Sequence, residues 1–167
     1  MKTEDLDKII QEMCHKLESV EYTDRSVGKE FFQQLAILTA EDNICSHIIE
    51  KMKNEDIPFL DEILVILVRD ADIHLTEKEI VKLTTVPTTI YNKEDFIECI
   101  IDSAGDKLQK TTIQKIAKNF GDDSSFFSDY LDYLWDNFLD EEDQDLKHKK
   151  KLNYEEAKEW FFEKQWI

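Results

Sequence analysis

Glu12 and His15 stand three residues apart in a stretch of helical spacing, the pattern by which one helix offers a carboxylate and an imidazole to a metal ion. A carboxylate-bridged di-iron centre needs two such pairs and further glutamates on facing helices. The partner of similar spacing is Asp145-x-x-His148, in a charged segment, so the pair reads as ordinary helix surface. Cys14-His15 and Cys45-x-His47 offer thiol and imidazole, but adjacent ligands and unmatched spacing are not those of a zinc site. Asp70-x-Asp72 opens like a calcium loop. Its sixth position is Leu75 where glycine makes the turn, and its twelfth is Val81 where a glutamate would close the shell. No glycine-rich phosphate loop occurs, and no Ser or Cys stands in a recognisable nucleophile motif with a histidine. The expectation is a protein that is not an enzyme, with no catalytic residues, no metal ligands and no cofactor.

Two charge clusters remain. Lys107, Lys110, Lys115 and Lys118 fall on one helical stretch. A small anion or RNA patch is one reading; cations on a solvated face near a helix end is the plainer one. The acids are more distinctive. From Asp122 to Leu146 there are ten acidic residues and no base. Asp129, Asp132, Asp136, Asp140 and Asp143 step by three, four, four and three, which stacks five carboxylates along one helix face. Glu141 adds to them, and Tyr130 and Tyr133 fall at the border of that face. Phe127, Leu131, Leu134 and Phe138 fall opposite. Each like-charged neighbour costs a helix roughly 0.2–0.5 kcal/mol, so the four steps cost about 1–2 kcal/mol together. A face needed only for solubility gains more from Glu and Lys at i, i+4. These eight residues are therefore expected to meet a basic surface, with charge hastening encounter and the aromatics holding the complex. The block Lys147-His-Lys-Lys-Lys151 follows at once and can neutralise part of the face by folding back.

The elements that must carry these groups read as helices. Leu6, Ile9, Ile10, Met13 and Leu17 repeat at helical spacing after Thr3, and Phe31, Phe32, Leu35 and Leu38 mark a second helix that ends near Thr39. Thr39 with Asp42 has capping-box spacing for a third helix through Ile44, Ile48, Ile49 and Met52. Pro58 then suits the first turn of the next. Phe59 to Val68 is apolar nearly all round and predicts a central buried helix, although the run Ile63 to Val68 fits a buried strand by length. Asp61, Glu62, Asp70 and Asp72 flank it, without turn residues. Thr76 with Glu79 caps a short helix, and Leu83 to Tyr91, around Pro87, reads as an extended connection. Asn92 with Asp95 opens a helix that Gly105 stops, and Leu108 to Phe120 continues until Gly121. A helix over Phe126 to about Glu142 and a last one, capped by Asn153 with Glu156 and carrying Trp160, Phe161 and Trp166, complete the chain. The fold class is all-α: a single domain, 1–167, built as an irregular bundle of eight or nine helices, with HEAT-like hairpins as one arrangement that fits.

Composition agrees. The 167 residues hold 38 acids against 21 Lys plus Arg, a net charge of −17, with 41% hydrophobic residues. That is too much apolar material for a disordered acidic tail. Only 3 Gly and 2 Pro leave too few turns for a β-sandwich. The acidic balance argues against direct nucleic-acid binding, which needs cations in excess. Cys14, Cys45 and Cys99 are three widely spaced thiols in apolar patterns, expected as buried free cysteines of a reducing compartment. The acidic start, Met1-Lys-Thr-Glu-Asp, is unlike a secretory leader, and no apolar run approaches a membrane span. A cytoplasmic protein that engages no membrane is expected; its oligomeric state is left open.

With the stripe from Asp129 to Asp143 on an acidic all-helical chain, the protein resembles small bacterial immunity proteins that neutralise contact-dependent-inhibition or colicin-like nuclease toxins. The resemblance is one of overall character and carries no motif. It implies a cytosolic, non-catalytic protein that binds a cognate basic toxin tightly. Two other readings compete: a nucleic-acid mimic that inhibits a host DNA-binding protein, and a helical adaptor or secretion chaperone that buries a client segment in an apolar groove.

Overall fold

The computed structural model describes residues 1–19, 25–104, 108–120 and 159. The regular secondary structure among them is all α-helical: α1 (Thr3–Ser19), α2 (Arg25–Leu38), α3 (Ile44–Asn54), α4 (Leu60–Arg69), α5 (Glu77–Leu83), α6 (Lys93–Ala104) and α7 (Lys110–Phe120). The chain groups into two compact units, Met1–Gly105 and Asp106–Ile167, each described by itself.

In the first unit α4 is the centre, packed against α1, α2, α3 and α6. Leu60, Asp61, Ile63, Leu64, Val65, Leu67 and Val68 are all buried. The run is helical, and the consecutive burial of Ile63, Leu64 and Val65 makes it a helix enclosed on most sides. The surrounding helices each turn one apolar stripe inward: Leu6, Ile9, Ile10 and Met13 from α1, Ile44, Cys45, Ile48, Ile49 and Met52 from α3, and Phe96, Ile97, Ile100 and Ile101 from α6. In α2 the buried pair is Phe32 and Ala36. Leu38, one of the apolar residues that mark this helix, is its last residue and is exposed.

Local caps set several boundaries. Thr76 and Glu79 form the full reciprocal capping box of α5, each bond 3.2 Å. Asn92 accepts from the Asp95 amide at 2.8 Å and donates to its carboxylate at 2.7 Å, opening α6. The third helix starts differently from its sequence reading. Thr39 is buried and its hydroxyl donates to the Leu35 carbonyl at 2.8 Å, closing α2. The cap of α3 is Asn43, in the left-handed region at φ 48°, with its side chain accepting from the Ser46 amide at 3.3 Å. Asn tolerates that conformation better than most residues. Pro58 likewise lies ahead of α4, whose cap is Phe59 at φ 71° with no side-chain bond of its own.

In the second unit α7 buries Thr112 and Ile116 at i, i+4 spacing, Leu108 just ahead of the helix is buried too, and Lys115 and Lys118 are exposed. These two lysines thus sit on a solvated face. Among the described residues no helix is long and apolar enough to cross a membrane.

Candidate functional site

Asp129, Tyr130, Asp132, Tyr133, Asp136, Asp140, Glu141 and Asp143, the expected partner-binding set, lie outside the described residues. Within the first unit three arrangements of side chains carry chemistry.

The first is an open groove with a cavity volume of about 470 Å³, between the turn that joins α2 to α3 and the segment that joins α4 to α5. Its apolar lining includes Ala36, Ile37, Ile44 and Ile73, and its acids are Glu41, Asp72 and Glu79. His74 is the sole basic residue of the lining, with Nε2 3.9 Å from Asp72. Ile37 is 78% exposed and its neighbour Leu38 60%, an uncommon exposure for adjacent aliphatic residues. Two left-handed residues, Asn43 and Asp72, turn the backbone around its walls. The volume falls within the roughly 300–1,000 Å³ of small-ligand pockets. Neither wall is legible from local sequence, because 25 residues of chain separate Cys45 from Ala71; the overrun of Ile37 and Leu38 past the buried Phe32–Ala36 stripe is the available clue.

The second is a buried carboxylate. Asp61, expected as a flanking acid, is 1% exposed. It accepts from the amides of Thr89, Ile90 and Tyr91 at 3.1, 2.8 and 2.9 Å, and from the Thr89 hydroxyl at 3.0 Å. Thr89 Oγ1 in turn accepts from the Phe59 amide at 3.0 Å. One side chain thus fixes both the strained start of α4 and the connection before α6. Its bonds are all spoken for, which makes it a structural clamp, not an acid or base for a substrate.

The third joins α1 to α3. Asp7 Oδ1 lies 2.7 Å from His47 Nε2 and 2.9 Å from Lys51 Nζ, and Lys51 reaches Glu55 at 3.4 Å. His47, then Lys51, holds the Asp7 carboxyl below the usual carboxylate range, and the Asp7 bond raises the Lys51 ammonium. A depressed carboxyl contributes stability that is complete above the ordinary carboxylate range and is lost as pH falls through the depressed value. A raised lysine contributes until the pH rises through its raised value. Asp7→Asn is therefore expected to be less stable than the parent at neutral pH, with the gap closing between about pH 5 and about pH 2. Thermal midpoints of both proteins across that range check it; a constant gap would remove Asp7 from the acid response.

The remaining chemical residues are unpromising as nucleophiles or ligands. All three cysteines are free; Cys45 is buried and Cys14 and Cys99 are half-buried. Burial, and then Glu79, pushes the Cys45 thiol up to about 12. Burial raises Cys14 and Cys99 as well, so none is a ready thiolate. Cys14 Sγ lies 3.7 Å from the Pro58 carbonyl, and Glu12 and His15 face solvent. Asp70 pairs with Arg69 at 3.2 Å, so Asp70 and Asp72 part ways. Among the described residues no three His, Cys, Asp or Glu side chains converge on a position for a metal ion.

Comparison with protein-family models, with curated proteins and with solved structures returned no match.

Proposed function

We propose that this chain is a cytoplasmic, non-catalytic inhibitor that binds a basic protein, a nuclease-type toxin being the partner that fits best. The observation that carries the reading is the run of ten acids without a base between Asp122 and Leu146, with five aspartates in helical register at 129, 132, 136, 140 and 143. A helix over Phe126 to about Glu142 is part of the proposal, and with one more from Asn153 it brings the helix count to nine. Phosphate-binding surfaces are rich in Lys and Arg. A rod of carboxylates spaced along one face matches such a surface in charge, repels other acidic proteins, and speeds encounter with the right one.

The test is co-expression with the product of the neighbouring gene, scored by growth, together with association kinetics for the purified pair. Parent chain is expected to protect. The Asp132→Asn, Asp136→Asn, Asp140→Asn variant is expected to lose protection and at least about tenfold in association rate at low salt, with a shallower salt dependence. Unchanged protection and kinetics would remove the acidic face from the function. Capture of a resident DNA-binding protein instead would favour the nucleic-acid mimic, and salt-insensitive binding the adaptor.

A further inference from the structure

We propose that the groove between the α2–α3 turn and the α4–α5 segment is a second docking surface, taking a short partner segment that presents an aliphatic side chain between lysines or arginines. The groove lining shares no residue with the acidic run at 129–143, and the inference stands even where that run proves idle.

The argument begins with what is left uncovered. Among the described residues the exposed large hydrophobics are Met1, Ile37, Leu38 and Ile90, and two of these four are adjacent, with Ile37 in the groove wall. An apolar pair at a helix end is expected to be covered when the core can reach it; here Phe32 and Ala36 take the inward positions and leave Ile37 and Leu38 facing water. Behind Ile37 the groove continues over Ile44 and Ile73, so Ile37 is the lip of a larger apolar floor, with Leu38 exposed beside it. Burying one aliphatic side chain of a partner there gains about 1.5–3 kcal/mol if it is fully covered.

Charge identifies the flanks of that side chain. The groove lining holds Glu41, Asp72 and Glu79 and contains neither Lys nor Arg. Glu79 is held in place by the Thr76 amide at 3.2 Å, so one acid of the set has a fixed position. Asp72 stands out on a left-handed turn with its side chain 93% exposed, and Glu41 is exposed on the opposite wall. Apolar floor with acids on both walls is the complement of an aliphatic residue between two cations. An acidic segment meets repulsion there, and a wholly apolar one forgoes the charge attraction.

The probe is the blocked pentapeptide Lys-Leu-Lys-Leu-Lys, titrated into the full-length ¹⁵N-labelled chain, with pentalysine and Glu-Leu-Glu-Leu-Glu as controls. The Lys-Leu peptide is expected to shift the amides of Ala40, Asn43, Ile73 and His74 saturably, and neither control to do so. Ile37→Ser with Leu38→Ser should weaken it at least about tenfold. Glu41→Gln with Asp72→Asn should weaken it several-fold and flatten its salt dependence. All four positions are exposed or on turns, so these variants should keep parental thermal midpoints. The Asp132→Asn, Asp136→Asn, Asp140→Asn variant should bind the peptide as the parent does, which separates this site from the proposed function. Any of four results overturns the proposal. Pentalysine must not equal the Lys-Leu peptide at these amides. The amides must not stay unmoved. They must not shift with protein concentration alone, which would assign the groove to a second copy. Nor must Ile37→Ser with Leu38→Ser shift resonances of 121–167, which would assign it to the chain's own segment.

Discussion

Replacing Asp61 by Ala is expected to cost the first unit about 3 kcal/mol and to free the connection between α5 and α6. The carboxylate accepts three backbone amides and one hydroxyl within 3.1 Å. Hydrogen bonds to a charged acceptor are worth roughly 1.5–3 kcal/mol each, about twice a neutral one. Three considerations bring the net below the simple total. Alanine removes the burial penalty of the charge itself. Thr89 and Ile90 lie at the surface, so their freed amides can reach water once the segment loosens. The Thr89 hydroxyl can still accept from the Phe59 amide. Asn is the informative comparison. Its carbonyl can take the place of the oxygen that holds Thr89, Ile90 and Tyr91, and its amide can donate to the Thr89 hydroxyl oxygen. Asp61→Asn should therefore cost about 1–2 kcal/mol, the difference between charged and neutral acceptors over three bonds less the burial penalty of the charge that Asn removes. Urea midpoints give the energies. Hydrogen exchange gives the mechanism: protection at Thr89, Ile90 and Tyr91 should vanish in Asp61→Ala and survive, weakened, in Asp61→Asn. Parental stability with unchanged protection in Asp61→Ala would show that the clamp does not organise this segment.

Asp61 also shows where sequence reading stops. It stands two residues inside a helix, next to Glu62, and its type and neighbours are those of a solvated first turn. Its bonding partners lie 28 to 30 residues ahead, and no local pattern announces them. Features whose partners sit within four residues were legible: the Thr76–Glu79 box, the Asn92–Asp95 pair and the inward stripes of α1, α3 and α6 all follow from spacing. Thr39 and Asn43 mark the boundary of that legibility. A Thr and an Asp three apart satisfy the spacing of a cap, yet the Thr39 hydroxyl bonds backward to Leu35, and a left-handed Asn43 takes the cap instead. Two local alternatives competed for the same turn, and burial of Thr39 by tertiary packing decided between them. The groove was not legible at all, since its walls come from segments on either side of α3 and α4. The acidic face was fully legible as a pattern, and its residues lie outside those described in the structure.

Leu67→Ala is expected to cost about 3–5 kcal/mol, among the larger effects of a single truncation in the first unit. Leu67 is fully buried on α4, the helix that touches α1, α2, α3 and α6. A cavity at that position is bounded by several packed helices, and none can close it without disturbing its contacts with the others. Leu-to-Ala costs run from about 2 to 5 kcal/mol, and the upper part of that range belongs to sites that collapse poorly. Its carbonyl also accepts the Ile73 amide at 3.1 Å, which anchors the chain as it leaves α4, so a shift of the helix would carry the groove wall with it. Ile66 is the control within the same run. It is half exposed where its neighbours are buried, so Ile66→Ala should cost about 1–2 kcal/mol. The contrast also discriminates the two sequence readings of Ile63 to Val68. A strand would make Leu64, Ile66 and Val68 one equivalent face. A helix makes Leu64, Leu67 and Val68 the costly positions, and Ile66 the tolerant one. Urea midpoints for Leu64→Ala, Ile66→Ala and Leu67→Ala suffice to separate them, and equal losses at Leu64 and Ile66 would contradict the helical packing of α4. Because stabilities of single domains are only about 5–15 kcal/mol, the Leu67 loss also bears on function. A destabilised first unit would weaken groove binding without any contact being removed, which is why the exposed pair Ile37 and Leu38, and not the core beneath it, is the place to test that surface.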